Sequence, residues 1–263
     1  LIMRAEDNIQ QAANVKAYAA TITNTANKAI QESKRQANIY NARLANQTSN
    51  QTDGEPATQN PDEYNRQLVI PPSDVMATIN YPKLGISYPY ATEQANRRSP
   101  SAQAWEGTSL PIGGAGTHTV ITAHRGLADK LMFTKLDQAR EGDEFTITTL
   151  GETLTYQVQT IRTITPDDFT WINKHDASAD QATLMTCTPY GINTHRLLIT
   201  GTRVPNTTNA RQKQDASPTE PSPPRHSRSQ PSGRPSPHSH GIATMKCMID
   251  EVLFLRHGRT AYN

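Results

Sequence analysis

A mainly β fold, closed barrel or sandwich, with a helical segment ahead of it, is what this sequence predicts. Between positions 75 and 204, short β-rich runs alternate with turn signals at close intervals. Before them, 3–46 is rich in Ala, Gln, Asn and Lys and contains neither Pro nor Gly. After them, composition turns to Pro, Ser, Arg and His and the apolar pattern is lost.

The first segment carries Val15, Tyr18, Ile22, Ala26 and Ile30 at loosely helical intervals, which predicts a polar helix with one narrow buried stripe. A coiled coil is the alternative, opposed by the many Asn and Thr residues. Residues 46–62, NQTSNQTDGEPATQNPD, are turn-forming and almost free of apolar side chains, so a mobile segment is expected there.

The strand candidates are 75–80, 117–123, 144–150, 153–164, 182–187 and 196–203, with a hairpin dividing near Gly151-Glu152 and a short helix over about 133–140. The tail from 205 to about 244 cannot bury enough apolar surface to offset its ordering entropy, and disorder is expected. Its clustered histidines could bind metal weakly, but a solvated linker accounts for them more simply.

Composition narrows the function classes. Apolar residues make up 35% of the 263, and aromatics 6%, so much of the chain is not core. A net charge of +2, with no dense basic block, does not point to nucleic acid. Two cysteines, Cys187 and Cys247, exclude a disulfide-built scaffold and leave room for one functional thiol. No run approaches the roughly 20 apolar residues of a membrane span. The first residue is Leu1 rather than Met, so an amino-terminal anchor or signal is expected outside these residues.

The chemistry is concentrated in ATLMTCTPYGINTHRLLITG, residues 182–201. An apolar strand ends on Cys187, Pro189-Tyr190-Gly191 and Asn193 reverse the chain, and a second strand opens with Arg196. A strand end holds sulfur rigidly, and a returning guanidinium can supply the cation that favours a thiolate. His124, where THTVITA gives way to a loop, is the leading acid/base candidate. His118 shares its face by even spacing and competes with it, whereas His195 would point away from Arg196. Attacking sulfur, proton donor and oxyanion partner are the three needs of acyl transfer. Cys187, His124 and Arg196 could meet them.

The same residues are also compatible with non-catalytic roles. Cys187 could be a buried packing residue, or Cys187, His118, His124 and His195 could form a zinc site, although no short paired-ligand spacing supports that. Gly113-Gly114-Ala115-Gly116 lacks the Gly-Lys-Ser/Thr ending of a phosphate loop and is expected to be a turn.

Five stretches together resemble one family: EGTSLPIGGAGTHTVITAHRGL at 106–127, LMFTKLD at 131–137, GDEF and LGETLTYQV within 142–158, PDD at 166–168 and TLMTCTPYGINTHRLLITGTRV at 183–204. Over about 62–204 the chain resembles a class C sortase, the pilus-assembling branch of the sortase cysteine transpeptidases. The resemblance implies a closed eight-stranded β-barrel, with His124, Cys187 and Arg196 as catalytic residues and neither metal nor cofactor. It implies cleavage of an LPXTG-like sorting signal between Thr and Gly through a thioacyl enzyme. The partners would be pilin subunits bearing such signals and an acceptor lysine, at the outer face of the cell membrane. Alternatives are a housekeeping sortase that attaches proteins to peptidoglycan and a barrel that binds sorting signals without turnover.

The organisation expected on this basis is a helical segment at 1–45, a lid or flexible loop at 46–62, the barrel at 63–204, a Pro/Ser-rich tail at 205–244 and a distinct fragment at 245–263. Class C members commonly carry an Asp-Pro-aromatic lid that 46–62 lacks, so a looser lid and ready access of thiol reagents to Cys187 are expected. They also usually continue into a membrane helix. Here MKCMIDEVLFLRHGRTAYN at 245–263 instead resembles the opening of a histidine phosphatase, with Arg256-His257-Gly258 as its motif, and a neighbouring reading frame joined at Met245 is the expected origin. Two short motifs are expected to be structural: Leu110-Pro111-Ile112-Gly113-Gly114, which lacks the Thr of a sorting signal, and Tyr81-Pro82-Lys83, which looks superficially like a pilin acceptor lysine.

Overall fold

The computed structural model describes residues 2–48, 61–91, 102–104, 108–126, 130–173, 176 and 178–206. The expected tail, the fragment expected at 245–263 and most of the expected lid lie outside these residues.

Where one helix was expected there are two, α1 (Ile2–Asn24) and α2 (Asn27–Thr48). The break needs no Gly or Pro. Thr21, Thr23 and Thr25 each turn a hydroxyl back to the carbonyl four residues earlier, at 3.0, 2.9 and 2.7 Å, and such bonds compete with the helix ladder. On α1 the buried stripe is Asp7, Gln11, Tyr18 and Ile22, and on α2 it is Ala37, Tyr40, Asn41 and Leu44. Tyr18 and Ile22 were expected there. Ala26, at the break, is exposed instead. α2 runs to Thr48, three residues past the expected end of the helical segment, and α3 (Pro61–Asn65) follows.

The strands are β1 (Val75–Tyr81), β2 (Ile86–Ala91), β3 (Ala102–Ala104), β4 (Thr117–Thr122), β5 (Glu144–Thr149), β6 (Glu152–Ile164), β7 (Asp180–Thr188) and β8 (His195–Val204). They close into an eight-stranded barrel in the order β1-β2-β3-β4-β7-β8-β6-β5. Two of them, β2 and β3, carry no strand signal. β2 is ISYPYA, with a proline inside it, and β3 is a three-residue AQA. The short helix near 133–140 is a 3-10 turn, Leu136–Gln138, and α4 (Thr170–Asn173) caps the far side of the sheet.

The β5–β6 hairpin turns at Leu150-Gly151, one residue before the expected division, and both have positive φ, 47° and 83°. That is the twist a two-residue hairpin needs. α1 clamps this turn: the Tyr18 hydroxyl donates to the Met76 carbonyl at 3.0 Å and accepts the Leu150 N–H at 3.0 Å. Inside the barrel Tyr81, Phe145 and Tyr156 stack at 5.9 and 5.6 Å between ring centres. Gly201 makes room for them, since a Cβ there would lie 2.9 Å from the Phe145 ring.

The glycine run at 113–116 is a turn, as expected, and Asp180 accepts the Gly114 N–H at 3.0 Å. Lys83 is engaged at 2.6 Å by Asp143, which also accepts the Tyr81 hydroxyl at 2.8 Å. That pairing supports the structural role of Tyr81-Pro82-Lys83. Among the described residues no helix is long and apolar enough to cross a membrane.

Tyr18→Phe leaves the buried Leu150 N–H without its acceptor, and the expected cost is about 1–3 kcal/mol. A urea titration checks this: the midpoint falls with an unchanged slope, and an unmoved midpoint contradicts the clamp.

Candidate active site

Strand alternation decides which side chains can meet. Leu184, Leu197, Ile199 and Ile121 belong to the main core inside the barrel. Their neighbours Val120, Met185 and Leu198 form a second cluster with Ile164 and Ile172, covered by Phe169 and Trp171. Period-two alternation therefore turns one face of β4, β7 and β8 away from the barrel interior.

Three rungs of the ladder lie along this outer face. β7 and β8 pair Thr183 with Thr200, Met185 with Leu198 and Cys187 with Arg196. Directly opposed residues of an antiparallel pair point the same way, with Cβ atoms about 4.5–5.5 Å apart. Cys187 and Arg196 are thus side by side. On the other flank, β4 runs parallel to β7 in a constant register from Thr117↔Asp180 to Thr122↔Met185. The last pair is Thr122↔Met185, and carrying that register two residues past the strand end brings His124 level with Cys187. The pairing persists past the strand end, since the Ala123 N–H donates to the Met185 carbonyl at 3.2 Å and the Thr186 hydroxyl to the Ala123 carbonyl at 2.8 Å.

The rival histidines are elsewhere. His118 does share the outer face, but six residues along a strand is roughly 20 Å, and its Nε2 is 2.7 Å from the Thr183 hydroxyl. His195 is exposed on the face opposite Arg196. The four donors of the zinc alternative consequently do not converge.

The loop that holds His124 is tied down on several sides. The Phe133 N–H donates to the His124 carbonyl at 3.1 Å, and the Tyr88 hydroxyl accepts the Met132 N–H at 2.9 Å. Tyr88 also donates to Asp7 of α1, which receives Lys130 at 3.2 Å. The amino-terminal helix therefore reaches the His124 loop through a buried carboxylate. Arg196 is held by the connector it follows, donating to the carbonyls of Asn193 and His195 at 3.1 and 3.2 Å. Asn193 and Gly191 take positive φ, 61° and 78°, which closes that connector.

All three groups are enclosed. Cys187 is 0% exposed, and His124 and Arg196 are each 8% exposed. This corrects the expectation that reagents reach the sulfur readily: a fully buried sulfur requires its surroundings to open first. Burial also pushes the His124 imidazole down from its ordinary value, favouring the neutral ring.

A sortase domain model matches residues 78–204. Among solved structures, sortase C1 of Streptococcus agalactiae is 38% identical, covering 73% of this chain and 98% of that one with a TM-score of 0.65. Sortase C-1 of Actinomyces oris is 35% identical, covering 67% and 99%, with a TM-score of 0.58. A Streptococcus pneumoniae sortase C, whose structure addresses catalysis and pilin substrate specificity, is 35% identical, covering 74% and 98%, with a TM-score of 0.63. A search of curated proteins finds no match. The chain belongs to the sortase family. Its barrel and preceding helices are those of the class C, pilus-associated branch.

Within this sortase, sequence reasoning passed over Arg125, whose guanidinium is buried against Thr188 and Asp137. Its position directly after His124 was visible, but its partners lie 12 and 63 residues away in the chain.

The lowered His124 pKa has a stability consequence. Above the unfolded value of about 6.5 both states hold a neutral ring and the contribution is complete. As pH falls from there towards the lower folded value, the unfolded chain binds the proton first and stability is lost, and below the folded value both states are protonated and the loss is complete. Urea midpoints measured from about pH 8 down to about pH 5 are expected to fall less in His124→Asn than in the wild type. Parallel curves contradict a buried neutral imidazole.

Proposed function

We propose that this sortase is a cysteine transpeptidase that cleaves an LPXTG-like sorting signal between Thr and Gly and joins the acyl half to a lysine of a pilin subunit. The observation that supports it is the single row made by β4, β7 and β8, in which Cys187 faces Arg196 across one ladder and is level with His124 across the other.

In the first step the Cys187 sulfur, as thiolate, attacks the threonine carbonyl carbon and an S–C bond forms. The Arg196 guanidinium, donor-rich and permanently charged, stabilises the resulting oxyanion. His124, protonated, delivers its proton to the glycine nitrogen as the C–N bond breaks, leaving a thioester. In the second step the acceptor lysine attacks that thioester as a free amine. Neutral His124 takes the amine's proton, the sulfur leaves as thiolate, and an isopeptide bond remains.

The chemistry asks His124 to carry a proton while its burial resists that charge. A desolvated imidazolium is the stronger acid, which suits protonation of a poor leaving group, but only a fraction of molecules hold the working proton arrangement at a given pH. The enclosed sulfur implies that substrate entry accompanies an opening of the groove. The likeness to pilus-related sortase C structures supports action on pilins, and location at the outer face of the membrane belongs to the same reading.

Cys187→Ala is expected to abolish transpeptidation of a sorting-signal peptide, by at least about a thousandfold, while peptide binding measured by fluorescence polarisation persists. Turnover unchanged in that variant ends the proposal. A peptidoglycan-type amine outcompeting the pilin lysine would instead redirect it to a wall-anchoring role. The turnover rate of the wild type should rise and then fall with pH, and a monotonic profile contradicts the paired roles of sulfur and imidazole.

A further inference from the structure

The parallel ladder between β4 and β7 ends where the proposed chemistry begins. Its last register pair is Thr122↔Met185, and beyond it the strands are joined by the Ala123 N–H to the Met185 carbonyl and by the Thr186 hydroxyl to the Ala123 carbonyl. The next tie is made by a side chain. Arg125 Nη1 donates to the Thr188 hydroxyl at 3.0 Å and, at 3.4 Å, towards the carbonyl of Cys187 itself. Nη2 is 2.7 Å from the Asp137 carboxylate in the turn that follows the His124 loop. The same guanidinium lies 5.8 Å from the centre of the Tyr190 ring, on the connector after Cys187.

Gly126 belongs to this arrangement. It adopts φ +86°, a conformation that favours glycine, and a Cβ there would stand 3.2 Å from the Tyr190 ring, so a larger residue would be strained and would press on the connector. Its N–H reaches the Thr134 hydroxyl at 3.4 Å. The segment 124–126 is thereby held between the end of β7, the β7–β8 connector and 133–137.

We infer that Arg125 is a positioning residue that sets the separation of His124 from Cys187, being bonded covalently to one and through its guanidinium to the other. Burying a guanidinium is costly unless several partners satisfy it, and here the partners are Thr188 at the end of β7 and Asp137 in the turn that follows the His124 loop. The fork geometry is what allows one group to hold Thr188 and Asp137 together. A lysine ammonium is a single point charge and lacks the two separate donor nitrogens that reach Thr188 and Asp137 here. Misplacement of reacting groups by an ångström costs turnover steeply, whereas substrate binding depends on a wider surface.

The inference rests on the transpeptidase reading, and kinetics of Arg125→Gln, Arg125→Lys and Thr188→Val with a sorting-signal peptide and a lysine acceptor test it. Arg125→Gln is expected to lower kcat about 10- to 100-fold with KM changed less than about twofold and with a folded circular-dichroism spectrum. Arg125→Lys is expected to fall between it and the wild type. Should Arg125→Gln fail to fold, Thr188→Val, which leaves the guanidinium on Asp137, carries the test with a several-fold loss confined to kcat. Wild-type kcat in folded Arg125→Gln, wild-type kcat in Thr188→Val, or a loss appearing in KM alone overturns the assignment. Cys187→Ala assayed alongside separates the two ideas: if it retains turnover, the transpeptidase reading fails, and if it is inactive while Arg125→Gln is not, only the role of Arg125 falls.

Discussion

One constraint organises the molecule: β7 is held in register on both sides, by a parallel partner that ends at the His124 loop and an antiparallel partner that begins at Arg196. A slip of one residue in either ladder would turn Cys187 towards the barrel interior and move it to a different face from its neighbours. The apolar cluster of Met185 and Leu198, the next pair inward, with Val120 diagonal to Met185, makes such a slip unfavourable because those side chains would leave the cover of Phe169, Trp171 and Ile172. Packing beneath the site thus specifies the geometry within it.

The helices brace that register from outside. α1 grips the β5–β6 turn with Tyr18 and reaches the His124 loop through Asp7, Tyr88 and Lys130. α2 uses the Asn41 amide as a substitute strand edge, accepting the Leu110 N–H at 2.8 Å and donating to its carbonyl at 3.2 Å. These are buried polar ties at single positions, so each is specific in direction as well as favourable in energy. The amino-terminal segment is part of the scaffold that orients the site and does more than lead up to it.

Legibility in the sequence followed the range of the interactions. Cys187, the reversing connector and Arg196 were legible because a strand, a turn and a strand are local patterns, and His195 was correctly assigned to the other face by alternation alone. His124 beside Cys187 rests on a pairing between segments 63 residues apart, which periodicity cannot supply and the resemblance to sortases did. β2 and β3 were missed because neighbouring strands, rather than their own residues, make them strands. The helix break at Thr25-Ala26 escaped because its cause is side-chain competition for carbonyls. Arg125 and the burial of Cys187 are tertiary facts with no local signature.

The account stands on sulfur, imidazole and guanidinium sharing one face at the end of β7. Intact and tandem mass spectrometry of the protein incubated with a sorting-signal peptide, in the absence of an acceptor amine, tests it most directly. A mass increase equal to the acyl half of the peptide, mapped to Cys187 and released by an added lysine amine, is the predicted result. No adduct under conditions where the peptide binds, or an adduct on any other residue, would contradict it.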